Sequence, residues 1–461
     1  MNEPAKVDIL KKTSVGKLIA RMSLPNMVSM LSLAIVNLVG GAMISSTSGG
    51  LEAISVAYPF EALLTAFAIG LGIGTGSAVS RRLGKGETRG ADDVAATGVC
   101  IALMTGASIA AAGLGASGAF VGLFPLSAAD AAAAKTYLYI VSAAIPITVT
   151  HTLFNRISVS TGLTFRPMLA VVSGAALTLI VDYLLVFGKL GIKQMSMTGL
   201  AIGNAAGQTL TLIIAIIVVA KAPVNVFLHR GFRLRSENVK DILGVALPSI
   251  VQNAVGALFL TVLNAILIEQ SYVKIYGAFY KVQSLAYMPA FGLNQGSMPI
   301  MGYACGAGDK KRFVKTLKLT LIAALILTIC VFAVTEIVPD RILSLFNIND
   351  EDMSDGVTAF RILAAAFVPS AFSLILAAMF TSTGHGASAM TLNVLRGAAL
   401  GLPAAYFLKK YVSINAAWIG IAAAEIIVPA LFIPVAIVTF KKIFPSKKKD
   451  RVHTKRGRTT V

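Results

Sequence analysis

Apolar runs of about 20 residues, broken by short polar stretches, recur along the whole chain, and each is long enough to cross a bilayer as a helix. Twelve spans are predicted. Six lie near 17–44, 51–79, 94–117, 133–155, 167–187 and 197–220, and six near 242–268, 274–303, 314–338, 357–382, 388–407 and 413–440. The polar stretches between them are unequal in charge. Arg81, Arg82, Lys85 and Arg89 share one, Arg230, Arg233 and Arg235 another, and Lys310, Lys311 and Arg312 a third. Each basic stretch follows an even-numbered span, so the positive-inside rule puts all of them, and both termini, in the cytoplasm. The stretch after the ninth span carries Asp340, Asp350, Glu351, Asp352 and Asp355 and belongs outside.

The pattern also repeats. Leu24-Pro25 opens one apolar segment and Leu247-Pro248 another. Gly70, Gly74, Gly84 and Gly86 return as Gly292, Gly296, Gly306 and Gly308, at an offset of 222 (306 less 84). Gly162 returns as Gly384 at the same offset, and Gly174 returns as Gly397 at 223 (397 less 174). An even number of spans per half inserts both halves in one orientation, so their symmetry axis runs along the membrane normal. The expected fold is an all-α polytopic membrane protein of two pseudo-symmetric six-helix lobes around a central cleft. The expected parts are a first lobe over 1–220, a cytoplasmic linker over 221–241, a second lobe over 242–440 and a basic tail over 441–461.

Composition narrows the function. Hydrophobic residues make up 56% of the 461 and charged ones 13%; soluble chains carry roughly a quarter charged residues. The net charge of +19 sits in the cytoplasmic stretches and the tail, which marks topology and lipid contact rather than nucleic-acid binding. Cys100, Cys305 and Cys330 have no metal or disulfide spacing. There is no His-Glu-x-x-His motif, no phosphate-cradling Gly-rich loop and no nucleophile–base pair, so a membrane-embedded enzyme has little support. The expected energy source is therefore an ion gradient.

Charges within the spans need a reason, because each costs at least a few kcal/mol at mid-bilayer. The deepest are Glu61, Asp182, Lys281 and Glu425. Asp182 lies roughly 9 Å below the outer end of the fifth span, with Asn37 and Asn204 near 12 Å on the first and sixth. A carboxylate among amide oxygens suits Na⁺, a hard cation, and equally suits H⁺. Asp182 maps to Ala405 in the repeat and Glu425 to Gly203, so each charge marks one lobe. Glu61 and Lys281 fall at similar depth on symmetry-related spans, so either a salt bridge closes the outer side of the cleft or each binds a local partner within its own lobe. His151, alone on the fourth span, reads as structural.

The run Ala278-Phe279-Tyr280-Lys281-Val282-Gln283, followed by Met288-Pro289-Ala290-Phe291-Gly292-Leu293-Asn294-Gln295-Gly296, resembles the eighth span of multidrug and toxic compound extrusion (MATE) transporters. Asp182-Tyr183-Leu184-Leu185 and Thr198-Gly199-Leu200-Ala201-Ile202 resemble that family's fifth and sixth spans. The resemblance implies two lobes about a cleft that opens alternately to each side. It implies efflux of small amphipathic or cationic organic compounds in exchange for Na⁺ or H⁺, by a functional monomer in the cell membrane with no other cofactor. The expected coupling residues are Asp182, Asn37, Asn204, Thr178 and Glu425, and the expected cleft or gate residues Glu61, Lys281, Gln283, Asn294 and Gln295. The chain departs from the pattern at Asn37, where many relatives carry Asp, at Thr178, where relatives often carry Asn, and at Gln252, near a seventh-span Glu of some relatives. Its tenth span, Ala364 to Phe380, lacks the acid some relatives have. The alternative within the same architecture is a flippase for a lipid-linked saccharide or similar lipid.

Overall fold

The computed structural model describes residues 8–47, 50–226, 235–267, 270–346, 348 and 350–445. Residues 227–234 of the predicted linker and 446–461 of the tail lie outside these. The first half folds into α1 (Val15–Ser45), α2 (Leu51–Gly84), α3 (Thr88–Val121), α4 (Ala128–Ser160), α5 (Phe165–Val186) and α6 (Ser196–Ala220). The second half follows with α7 (Ser236–Leu267), α8 (Gln270–Gly306) and α9 (Lys310–Ile337). The tenth span, α10, is broken into Asp350–Ala364 and Phe367–Ser382. The eleventh, α11, runs Gly386–Val394, then through a π-helical turn at Leu395–Gly401, then Leu402–Tyr411; α12 is Ile414–Ile443. The expected two-lobe, twelve-span architecture is the one observed.

Local chemistry explains the ends. Ser127 caps α4 by accepting from the Asp130 amide at 3.1 Å, and Asp309 caps α9 from the Arg312 amide at 2.9 Å. Past the ends of α2 and α8 the chain turns on Gly86 (φ +79°) and Gly308 (φ +66°), a left-handed conformation that glycine adopts without a Cβ penalty. The repeat is thus kept at the level of backbone turns.

Glycines also dock the lobes. A Cβ on Gly84 would stand 2.9 Å from the Tyr303 carbonyl carbon, and a Cβ on Gly306 would stand 2.9 Å from that of Arg81. Tyr303 and Arg81 differ by the repeat offset, so each lobe inserts the same glycine against the same partner. The same exchange occurs one layer further in. Gly74 packs on Ala246 and Gly296 on Ser23, while Gly70 packs on Ile250 and Gly292 on Met27. This is the isologous contact of a twofold dimer, here made within one chain. Small residues let the backbones approach where lipid supplies no hydrophobic drive.

Hydrogen bonds and ion pairs finish the seam. Arg81 pairs with Asp241, and Ser77 donates to the Thr381 carbonyl at 2.6 Å. Arg82 reaches Glu237 at 3.4 Å and Ser23 donates to the Leu293 carbonyl at 3.2 Å. All these contacts fall in the halves of α1, α2, α7 and α8 nearest the end that carries Arg81, Lys85 and Lys310. The molecule is therefore shut at this basic end, and the other halves of the same helices take no part in these seam contacts.

Candidate functional site

Glycine spacing builds the site in the first lobe. Gly199, Gly203 and Gly207 recur at every fourth residue of α6 and face α5. There the backbone lies directly against Asp182 and Thr178: a Cβ on Gly203 would meet the Asp182 carboxylate, and one on Gly207 the Thr178 hydroxyl. Asp182 is fully buried and Thr178 nearly so. The two open onto a cavity with about 30 Å³ of water-accessible space, room for an ion or a water or two. Asn37 and Gly40 of α1, Tyr58 and Glu61 of α2, Tyr137 of α4, and Leu200 and Asn204 of α6 complete its walls.

Its two carboxylates are held differently. Glu61 accepts from the Tyr137 hydroxyl at 2.6 Å and from the Asn204 amide at 3.0 Å. Gln208 donates to the Asn204 carbonyl oxygen at 2.7 Å and is itself bonded to Thr148, so the amides are fixed in one sense. Asp182 has no partner on either oxygen among the described residues. The Thr178 hydroxyl donates to the Gly174 carbonyl at 3.1 Å, which leaves its lone pairs toward the cavity. No Lys, Arg or His lines this space. Two acids, one of them unpartnered, and a set of neutral oxygens are suited to a small cation or a proton.

Asp182, Asn37, Asn204 and Thr178 therefore come together. Glu61 joins them instead of meeting Lys281, whose ammonium sits 5.3 Å over the Phe346 ring. The inter-lobe gate pair is not made here. Glu61 is nine residues before Gly70, and at about 100° per residue that puts it on the face of α2 opposite the other lobe. Glu425 stands apart from the cavity. Arg396 donates to it at 3.0 Å across α11 and α12. Its expected register is also corrected. Gly420 packs on Ala404 as Gly203 packs on Asp182, so the sixth and twelfth spans are offset by 217 (420 less 203) and Glu425 answers to Gln208. The cause is a loop, since residues 187–195 join α5 to α6 and only 412–413 join α11 to α12.

Asn294 donates to the Leu374 carbonyl at 3.2 Å within the second lobe, while Gln295 reaches Met30 Sδ at 3.4 Å across the seam. Gln283 is half-buried on α8. His151 is buried with no partner on either ring nitrogen. Sequence reasoning missed Tyr58, Tyr137 and Gln208, whose side chains matter only through partners on other helices. It also missed Arg156, which fell one residue beyond the predicted fourth span.

A family model described as MatE matches residues 23–184 and matches again over 245–407. The chain belongs to the MatE family. The two matches begin 222 residues apart (245 less 23), the offset seen in the glycines. Relatives include the FAD transporter of Shewanella oneidensis, 24% identical over 404 residues, covering 86% of this chain and 88% of that one. The multidrug export protein MepA of Staphylococcus aureus is 21% identical over 398 residues, covering 84% and 86%. A solved outward-facing multidrug resistance MATE transporter of the MOP superfamily superposes with a TM-score of 0.89 at 24% identity, over 96% of this chain and 99% of that one. MatE proteins are multi-pass membrane transporters, so the enzyme alternative gives way to carriage across the bilayer.

Proposed function

We propose that this MatE protein exports small amphipathic organic compounds in exchange for Na⁺ or H⁺, with the ion carried at Asp182. The observation that carries this is the first-lobe cavity, where an unpartnered buried carboxylate and a second acid face neutral oxygens and no basic group. Names among the relatives support an organic cargo: FAD for one, multiple drugs for another. The basic end faces the cytoplasm in this reading, with both termini there, so the end formed by the other halves of α1, α2, α7 and α8 opens outward. Asn37, at the exposed wall of α1, is where an external ion enters.

The geometry gives a coupling rule. Removing an uncompensated carboxylate from water costs several kcal/mol. Asp182 must therefore hold a proton or a cation whenever α1 and α2 close over it. The ion taken up at the open end licenses closure, and its release at the basic end resets the lobe. Glu61, fixed by Tyr137 and Asn204, stands beside Asp182 as the second acid of the cavity. A monomer suffices, since one chain supplies both lobes.

The test is transport in proteoliposomes with Na⁺ and H⁺ gradients imposed separately. Wild type is expected to concentrate an amphipathic dye under one of them. Asp182→Asn is expected to remain inserted and to bind dye while losing gradient-driven accumulation. Full accumulation by that variant rules out Asp182 as the ion carrier. A cysteine at Ser236 labelled from outside in intact cells overturns the orientation.

A further inference from the structure

A second cavity lies on the seam between the lobes, and it contains a cation with no counter-charge. It is lined by Ser77 and Ser80 of α2, Arg156 and Ser160 of α4, Gln295 of α8 and Ser382 of α10, with Gly72 and Gly76 forming one wall, and has about 30 Å³ of water-accessible space. Arg156 makes no hydrogen bond or ion pair with any described residue, and no carboxylate acts on its charge. Its backbone carbonyl lies level with Gly76, yet its Cγ packs at 2.8 Å from where a Gly72 Cβ would be, one turn further from the basic end. A helical Cβ leans toward its own N-terminus, and for α4 that is the open end. Gly72 and Gly76 thus make room for the stem of Arg156 at the wall of the cavity. The second lobe carries Ala378 at the equivalent position, so symmetry of the fold does not require the charge.

We propose that this cavity docks an oxyanion, a carboxylate or a phosphate, borne by the compound the protein transports. The inference rests on the transport reading and fixes its charge class: the cargo is an organic anion or zwitterion, not a simple cation. An unpaired guanidinium in a membrane span is tolerated when it faces a polar cavity and is paired by what enters. Its planar fork matches two oxygens of one oxyanion, and the second N–H of the Gln295 amide is a further donor; the hydroxyls of Ser77, Ser80, Ser160 and Ser382 already donate to backbone carbonyls and make the wall polar. The space takes the charged group alone, and the apolar body of the molecule extends toward the open end.

Fluorescein and rhodamine 123 share a xanthene body and differ in charge, so they separate charge from shape. In proteoliposomes wild type is expected to exchange fluorescein at least tenfold more readily than rhodamine 123. Arg156→Gln is expected to reverse this preference, and Arg156→Lys to restore part of it. Gln295→Glu, which leaves Arg156 in place and adds a carboxylate to the cavity, is expected to exclude fluorescein as well. Arg156→Gln exchanging fluorescein at the wild-type rate overturns the proposal, as does a wild type that exchanges rhodamine 123 and ignores fluorescein. In that second case the export reading stands; only a protein that moves neither dye under any gradient counts against both. Arg156-dependent flipping of a fluorescent phosphatidylglycerol, with fluorescein ignored, assigns the cavity to lipid and overturns it too.

Discussion

Replacing Gly306 by Ala tests the twofold glycine seam directly. The added methyl meets the Arg81 carbonyl group, with its carbon at 2.9 Å and the amide plane behind it. A backbone carbonyl in a helix has no alternative rotamer, so relief requires α8 to move away from α2. Overpacking of this kind costs about 1–3 kcal/mol. Ala is the better helix former by about 1 kcal/mol, but α8 is helical in both states, so that gain cancels. The net cost of about 2 kcal/mol falls on the state shut at the basic end and shifts its population about 30-fold toward opening there. Cys305, half-buried one residue before the seam glycine, reports the change. With Cys100 and Cys330 replaced by Ala, its maleimide labelling in inside-out vesicles is expected to rise at least tenfold. Gly84→Ala is expected to do the same from the other lobe, which rules out a purely local effect on the thiol. The double variant should fall short of the sum, because lobes already parted meet the second methyl at lower cost. Gly244→Ala, on α7 with nothing within 4 Å, is the control. Labelling within twofold of wild type for both Gly84→Ala and Gly306→Ala refutes the seam as the element that holds this end shut.

Three further outcomes follow from the same geometry. Arg81→Gln and Asp241→Asn each remove one member of a partly buried pair and should each raise Cys305 labelling by less than the seam glycines do; exchanging the two charges should restore the wild-type rate. Tyr137→Phe removes one of two donors to Glu61, and a hydrogen bond to a charged group contributes about 1.5–3 kcal/mol. With that donor lost Glu61 binds the ion more strongly, so the coupling-ion concentration for half-maximal transport should fall, and an unchanged value detaches Glu61 from coupling. Gly203→Ala pushes a methyl into the Asp182 carboxylate and should abolish gradient-driven transport in a protein that still inserts, whereas Gly115→Ala, with open space around it, should transport normally.

What the sequence made legible is what depends on one helix at a time. Apolar length located the spans, and the recurrence of Gly84 and Gly306 disclosed the repeat before any contact was known. Depth placed Asp182, Asn37 and Asn204 in one layer, since distance along a helix axis follows from counting residues. Depth is blind to direction, and so Glu61 was matched with Lys281 although its helix face points to Tyr137. The angle from Gly70 carried that information. Glu425 was read against Gly203 because an offset set by long helices was carried across a loop of different length. Arg156 escaped because hydropathy closes a span at the first charge, while the helix runs on to Ser160.

The π-helical turn in α11 falls where the repeat shifts. The repeat offset grows by one between Gly384 and Gly397, and the turn begins at Leu395. A turn closed from residue i to i+5 holds one residue more than an α-turn, which matches the one-residue growth in offset across it. Gly420 packs on Ala404, one residue before the counterpart of Asp182, on which Gly203 packs. What diverged is the source of positive charge. Arg396, inside the widened turn, gives Glu425 a permanent counter-ion. Asp182 in the sister lobe has none among the described residues, and in the proposed cycle it takes one from outside. Two halves of one pattern thus differ in how a buried acid is balanced: by a fixed arginine in the second, and in the proposed cycle by the transported ion in the first.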